Sequence, residues 1–269
     1  MSSCNVLSWF NIVWSFGVAR VCNAPDEESV TGGMMIPEER CGEPDAVDYW
    51  QAFVLSPDGK TGCREGRIML TLYLAPGSSS MAPHIALHAI GAPFDIRPLS
   101  FARQEQREAA YLAINPEGKV PTLVDGDLVL TEVAGILFYL AKRFPEAGLL
   151  PDDVEAQARA VSWMSFAAAT IHPGFMGGAE KAEAALRQAE QRLNGRAFAM
   201  GERMSIADIH LFRLFWRIRN TINLPLDALP GLVAHHDRMM ALPCVRATIA
   251  VESEIGYELR GLKVPTASA

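Results

Sequence analysis

The chain has 269 residues, a formal net charge of −7, 49% apolar and 20% charged side chains. That length suits one or two domains with a sizeable core, and the negative balance argues against nucleic acid or an anionic membrane as the main partner, since both call for clustered Lys and Arg. No apolar run reaches the roughly 18 to 20 residues of a membrane-spanning helix, so the sequence reads as a soluble, cytoplasmic protein.

Residues 1–68 stand apart. They carry ten acidic and five basic side chains, leaving 21 and 19 for the remainder, and four of the five cysteines: Cys4, Cys22, Cys41 and Cys63. Those cysteines lack the close pairs that a zinc site needs, and no metal is expected. The apolar stretch Val6 to Ala19 has no Lys or Arg ahead of it and is interrupted by Ser8, Asn11 and Ser15, unlike a secretory signal. Beyond it, Thr31-Gly32-Gly33 and Ser56-Pro57-Asp58-Gly59 punctuate a segment with no sustained period of 2 or 3.6. The expectation is an irregular extension that need not belong to the native protein, with Met69 as the start of the organised chain.

From there the elements follow in order. Leu70 to Leu74 reads as a buried strand, and Ala75-Pro76-Gly77 breaks it. Met81 to Ile90 reads as a helix with Ser80 as cap, Pro83 in its first turn and Gly91 as its stop. Phe94 to Leu99 is a second strand, and Gln104 to Ile114 a helix ending before Pro116. A strand entered through Pro121 runs to Val124, and Asp125-Gly126-Asp127 turns it into Leu128 to Leu130. Thr131 is placed to cap a helix from Glu132 to Phe144, with Val133, Ile136, Leu137, Leu140 and Ala141 on one apolar face. The order βαβ then αββα implies one small mixed sheet with helices packed on it.

After a linker from Pro145 to Pro151, nothing strand-like recurs. Val154 to Ile171, Ala179 to Leu193, Ile206 to Arg219 and Leu232 to Ser253 carry helical spacing. Ser205-Ile206-Ala207-Asp208 has the form of a capping box ahead of the run Ile209-His210-Leu211-Phe212. The organised chain therefore divides into an α/β domain over residues 69–146 and an all-helical domain over residues 152–261.

Asn115-Pro116-Glu117-Gly118-Lys119-Val120-Pro121, followed by Leu130-Thr131-Glu132 opening a helix, resembles the N-terminal domain of the glutathione S-transferases. Ser205-Ile206-Ala207-Asp208-Ile209 resembles the capping motif of that family's helical domain, and Leu229-Pro230-Gly231-Leu232 with Leu242-Pro243-Cys244-Val245 its last helix and flanks. The stretch from Leu74 to Ile85 is most similar to the bacterial beta-class branch. The resemblance implies a thioredoxin-like N-terminal domain, a C-terminal helical bundle, a homodimer, glutathione as co-substrate, a small hydrophobic electrophile as second substrate and a cis bond before Pro121.

It also implies site residues. Lys119, Val120 and Pro121 form one wall, where the Val120 backbone pairs with a bound peptide as an added strand does. The helix start at Glu132 and Val133 offers free N–H groups and a positive dipole end to the γ-glutamyl carboxylate, and Glu132 holds the α-amino group; the plainer reading of Glu132 is a first-turn acid. The family usually has Ser where this chain has Val133, which removes one hydrogen bond worth about 1.5–3 kcal/mol. Ser79 stands where the beta class commonly has Cys, so a mixed disulfide with glutathione gives way to a hydroxyl that donates to the thiolate. Ser80 is the competing donor, with helix capping as its other reading. Ser78 reads as a turn residue and Tyr73 as core. His172 matches a histidine of the beta-class cleft and could hydrogen-bond to glutathione or the leaving group, or simply end a helix. A short Pro-Gly-Phe-Met-Gly-Gly link after it leaves the electrophile side open. His84 reads as packing or surface, Trp163 and Met164 as core or cleft lining, and the adjacent His235 and His236 as pointing to different helix faces. Two alternatives stay open: a non-catalytic binding or stress-related protein on the same fold, and a glutathione-dependent lyase or dehalogenase.

Overall fold

The computed structural model describes residues 70–263, all within one compact unit; the expectations for residues 1–68 and for Met69 lie outside them. β1 (Leu70–Leu74) buries Leu70, Leu72 and Leu74 completely, because a strand sends alternate side chains to one face. It runs parallel to β2 (Phe94–Pro98) and antiparallel to β3 (Thr122–Asp125). β3 turns through Gly126-Asp127 into antiparallel β4 (Leu128–Thr131), giving the order β2-β1-β3-β4. This is the small mixed sheet that the element order implies.

α1 (Met81–Ile90) ends at Gly91, whose N–H bonds the Leu87 carbonyl at 3.0 Å. Met81 to Leu87 are buried all round, since α1 lies against β1 on one side and α7 (Ile206–Arg219) and α9 (Pro243–Ile255) on the other. Two local expectations are corrected here. Ser80 makes no side-chain cap bond to α1. The helix expected over Gln104 to Ile114 is a 3-10 turn at Glu105–Arg107 and a short α2 (Ala109–Leu112). Glu105 accepts the Ser100 N–H at 2.7 Å and Glu108 is extended, so the chain is held in a turn that a continuous helix would break.

α3 (Val133–Arg143) buries the expected face of Val133, Ile136, Leu137, Leu140 and Ala141. Its cap is Glu132 and not Thr131, because Thr131 is still in the ladder opposite Thr122.

In the helical half, Asp153 caps α4 (Val154–Phe166) by accepting the Ala156 N–H at 2.8 Å. The segment expected to stop at Ile171 continues through a π turn (Ala167–Ile171) into α5 (His172–Met176). The stretch after His172 is therefore helical and not an open link. Pro173 has no N–H to bond back, and the widened turn before it absorbs the missing bond. α6 (Ala179–Leu193) and α7 match expectation. The single run expected over Leu232 to Ser253 is two helices, α8 (Pro230–Met240) and α9, separated at Ala241-Leu242; Pro243 can begin a helix but not continue one.

One apolar cluster joins the sheet, α1 and α3 to Ile206, Phe212 and Met239 of the helical half. A second, with Trp163, Ile171, Leu186, Phe215 and Leu232, lies wholly within the helices. Among the described residues no helix is long and apolar enough to cross a membrane.

Candidate active site

The loop ahead of β3 is shaped by its own polar groups. Asn115 Oδ1 accepts the Glu117 N–H at 3.1 Å, turning the chain, while its Nδ2 donates to the Lys119 carbonyl at 2.8 Å and to Thr122 Oγ1 at 3.0 Å. The Tyr111 hydroxyl joins the same carbonyl and lies 2.8 Å from Thr122 Oγ1. Asn115, Tyr111 and Thr122 are buried, so each polar atom needs such a partner. Gly118 has φ +60°, and a Cβ there would lie 2.8 Å from the Gln106 carbonyl, which restricts this position to glycine. The Val120-Pro121 bond is cis. Among the described residues nothing pairs with the Val120 N–H or C=O.

Glu132 follows β4 with φ 64° and ψ 127°, a conformation that costs a non-glycine residue about 1–3 kcal/mol. Its carbonyl accepts the Ile136 N–H at 3.0 Å, so α3 begins at once and its first N–H groups have no partner within the helix. The Val133 side chain is 7% exposed and packs into the larger core cluster. The position thus carries an apolar side chain committed to the core, and only its backbone N–H is left to the helix start.

The two candidate serines separate. Ser80 is fully buried, with Oγ donating to the Ala75 carbonyl at 3.1 Å and accepting the Ala75 N–H at 3.1 Å. Since its one proton is committed to that carbonyl, Ser78 Oγ, 2.9 Å away, donates to it. Ser80 closes the turn; Ser79, half-buried beside it, lines the cleft. The turn is braced from behind by Glu252 of α9, fully buried, which accepts the Gly77 N–H at 2.7 Å and sits 3.0 Å from His84 Nδ1. His84 is thus a packing residue. Gly77 has φ +73°, and a Cβ there would meet the Tyr257 ring at 3.0 Å.

Ser79, Lys119, Val120, Pro121, Glu132, Val133 and His172 line one cleft of about 310 Å³; Ser80 does not reach it. Lys119 is exposed and pairs with Glu117 at 3.1 Å. His172 continues the helix from the π turn and is half-buried; burial, then the nearby Arg213, lowers its pKa below the usual 6.5, so the ring is neutral at pH 7. Trp163 and Met164 are core residues. His235 and His236 diverge, His235 Nε2 lying 3.0 Å from Asp208 and His236 Nδ1 3.0 Å from Asp237.

The helical wall also contains two residues that sequence reasoning passed over, His210 and Arg213 of α7. α7 is held by Asp208, which accepts the Ser205 N–H at 2.9 Å, the Ser205 hydroxyl at 2.7 Å and the Ala199 N–H at 2.6 Å, in the expected capping box. His210 is 2% exposed and Arg213 4%, and among the described residues neither His210 ring nitrogen nor the Arg213 Nε has a partner. Burial is the main cause of a His210 pKa well below 6.5 and of an Arg213 pKa lowered to about 9. The available signal was two polar residues three apart in an apolar helix.

The family model for the glutathione S-transferase N-terminal domain matches residues 69–142, and that for the C-terminal domain residues 176–243. A glutathione S-transferase of Xanthomonas campestris pv. campestris is 30% identical over 204 residues, covering 68% of this chain and 98% of the relative. A glutathione transferase homologue from Sulfitobacter, solved with bound glutathione, is 31% identical with a TM-score of 0.64, over 68% of this chain and 98% of that one. The bacterial beta-class enzyme of Sphingomonas chungbukensis is 32% identical with a TM-score of 0.59, over the same shares of 68% and 98%. With the cis bond at Pro121, the capping box at Asp208 and a cleft between sheet and helices already in place, these matches establish that the chain belongs to the glutathione S-transferase family.

Proposed function

We propose that this protein conjugates the thiolate of glutathione to a hydrophobic electrophile, acting as a cytoplasmic homodimer. The observation that carries this reading is convergence: the half-buried Ser79, the unpaired Val120 backbone and the N-terminus of α3 all line one cleft. The Val120 N–H and C=O take the cysteinyl backbone of the peptide as a strand edge takes a partner. The γ-glutamyl carboxylate lies at the free N–H groups of Val133 and Ala134, and Glu132 takes the α-amino group. Lys119, at the exposed side, faces the glycyl carboxylate.

The thiol must lose its proton before it attacks, since the thiolate is the nucleophile. Ser79 donates a hydrogen bond to the sulfur and favours that form, and the neutral His172 ring is an acceptor for the departing proton. The thiolate then forms a bond to the electrophilic carbon, and a leaving group departs with the bonding pair. Edge strand β4 and the adjoining helices α3 and α4, with Phe138 and Val161 exposed, support a homodimer in which these elements meet the partner.

Calorimetry of the full chain with glutathione tests the reading; absence of binding overturns it. Ser79→Ala lowers the conjugation rate by about tenfold or more, the effect of one charge-assisted bond, and changes glutathione affinity far less. Equal loss in both removes Ser79 from the chemistry. The apolar Val133 favours a second reading, a non-catalytic glutathione-binding protein, which turnover of a panel of electrophiles rules out. A lyase or dehalogenase would use the same site and differs in the product released.

A further inference from the structure

On the sheet side of the cleft, the buried Asn115, Tyr111, Thr122 and Ser80 all have partners within the protein. The helical side is different. His210, Arg213 and Arg217 fall at i, i+3 and i+7 of α7 and so share a face, and His172 reaches the same place from α5. Among the described residues no carboxylate pairs with the buried Arg213: the charged neighbour that acts on it is Arg217, itself a cation. Arg217 in turn donates to the Arg260 carbonyl at 3.1 Å and lies over the Phe175 ring, with one terminal nitrogen buried and unpaired. Both ring nitrogens of His210 lack partners among the described residues. Burying a guanidinium whose Nε has no partner is costly, and a ligand carboxylate in the cleft would offset that cost.

We propose that Arg213, flanked by His172 and His210, forms a subsite on the helical wall that takes the carboxylate of an electrophile with an apolar body. This rests on the glutathione reading above, because the two carboxylates of glutathione already have partners on the opposite side, at the α3 N-terminus and at Lys119. The guanidinium presents a planar fork that matches a carboxylate, and at this depth the pair is shielded from water. Ala168, on the π turn beside His172, supplies the apolar contact for the body of the substrate. The second substrate is thereby an amphiphilic acid and not a purely apolar molecule.

The test needs no turnover. Calorimetry of the full chain compares S-benzylglutathione with S-(4-carboxybenzyl)glutathione, which carry the same peptide and ring and differ in one carboxylate. The carboxylated compound binds about tenfold tighter or more, and Arg213→Gln removes the difference; equal affinities for the wild-type chain overturn the proposal without reference to any variant. If Arg213→Gln weakens glutathione itself by the same factor, the guanidinium serves the peptide and the proposal also falls. Absence of binding by both derivatives and by glutathione is the separate failure of the glutathione reading. The subsite is then read with benzoate, which binds the wild-type chain and not Arg213→Gln; no difference between the two overturns it.

Discussion

The two walls of the cleft are built on opposite terms. On the sheet side, Asn115, Tyr111, Thr122, Ser80 and Glu252 are buried and paired, and what they leave free is backbone: the Val120 amide and the start of α3. On the helical side, His210 and Arg213 are as deeply buried, and among the described residues both His210 ring nitrogens and the Arg213 Nε are without partners. A wall whose side chains satisfy one another is rigid and presents main-chain groups suited to a peptide, which has the same main chain whatever its neighbours. A wall that leaves side chains unsatisfied gives up stability and gains selectivity for one kind of ligand.

The contrast is broken most strongly at Glu252. Glu252→Ala removes the acceptor for Gly77 and the partner of His84 in the core, and should lower stability by about 3–5 kcal/mol in a urea titration. A loss below 1 kcal/mol would mean that α9 does not brace the Ser79 turn. Arg213→Met should act in the opposite direction, raising stability by about 1–3 kcal/mol, since an unpaired buried charge gives way to an apolar side chain of similar length. A large destabilisation would show that Arg213 has a structural partner.

Val133→Ser sharpens the sheet side. A hydroxyl at the first position of α3 adds one donor to a bound carboxylate and should tighten glutathione by about tenfold in calorimetry. Removing the buried apolar groups costs about 1 kcal/mol of stability. Unchanged affinity would place the γ-glutamyl carboxylate away from α3.

The mildest effect is on pH. His172 and His210 have pKa values depressed below the usual 6.5, by burial first and by Arg213 second. Below about pH 6.5 the unfolded chain takes up protons that the folded chain refuses, so stability falls as pH falls from there toward the depressed values. With Arg213→Met one cause of the depression is gone, and the slope should be shallower. A flat profile between pH 6.5 and 5 would mean that neither ring is held neutral.

What was legible in the sequence was local. Asn115 turns the chain through a bond to Glu117, two residues on, and the Ser205-x-x-Asp208 box is set by one helix end. What was not legible depended on which of several short-range partners each group takes in the folded chain. Ser80 looks as good a thiolate donor as Ser79 until Ala75 is seen to engage its hydroxyl. Thr131 looks like a cap until Thr122 holds it in the ladder. The helix expected to end at Ile171 runs on because a π turn accommodates Pro173. His210 and Arg213 were hidden in an apolar run whose period indicated a buried helix, which is correct, and gave no reason to ask what those two side chains do there.

The most direct measurement is a crystal structure of the full chain with glutathione bound. The arrangement expected there has the cysteinyl backbone on Val120, the γ-glutamyl carboxylate at the Val133 and Ala134 N–H groups, the sulfur within hydrogen-bonding distance of Ser79 Oγ, and Arg213 free of any contact with the peptide. A sulfur turned away from Ser79, or a glutathione carboxylate seated on Arg213, would contradict it.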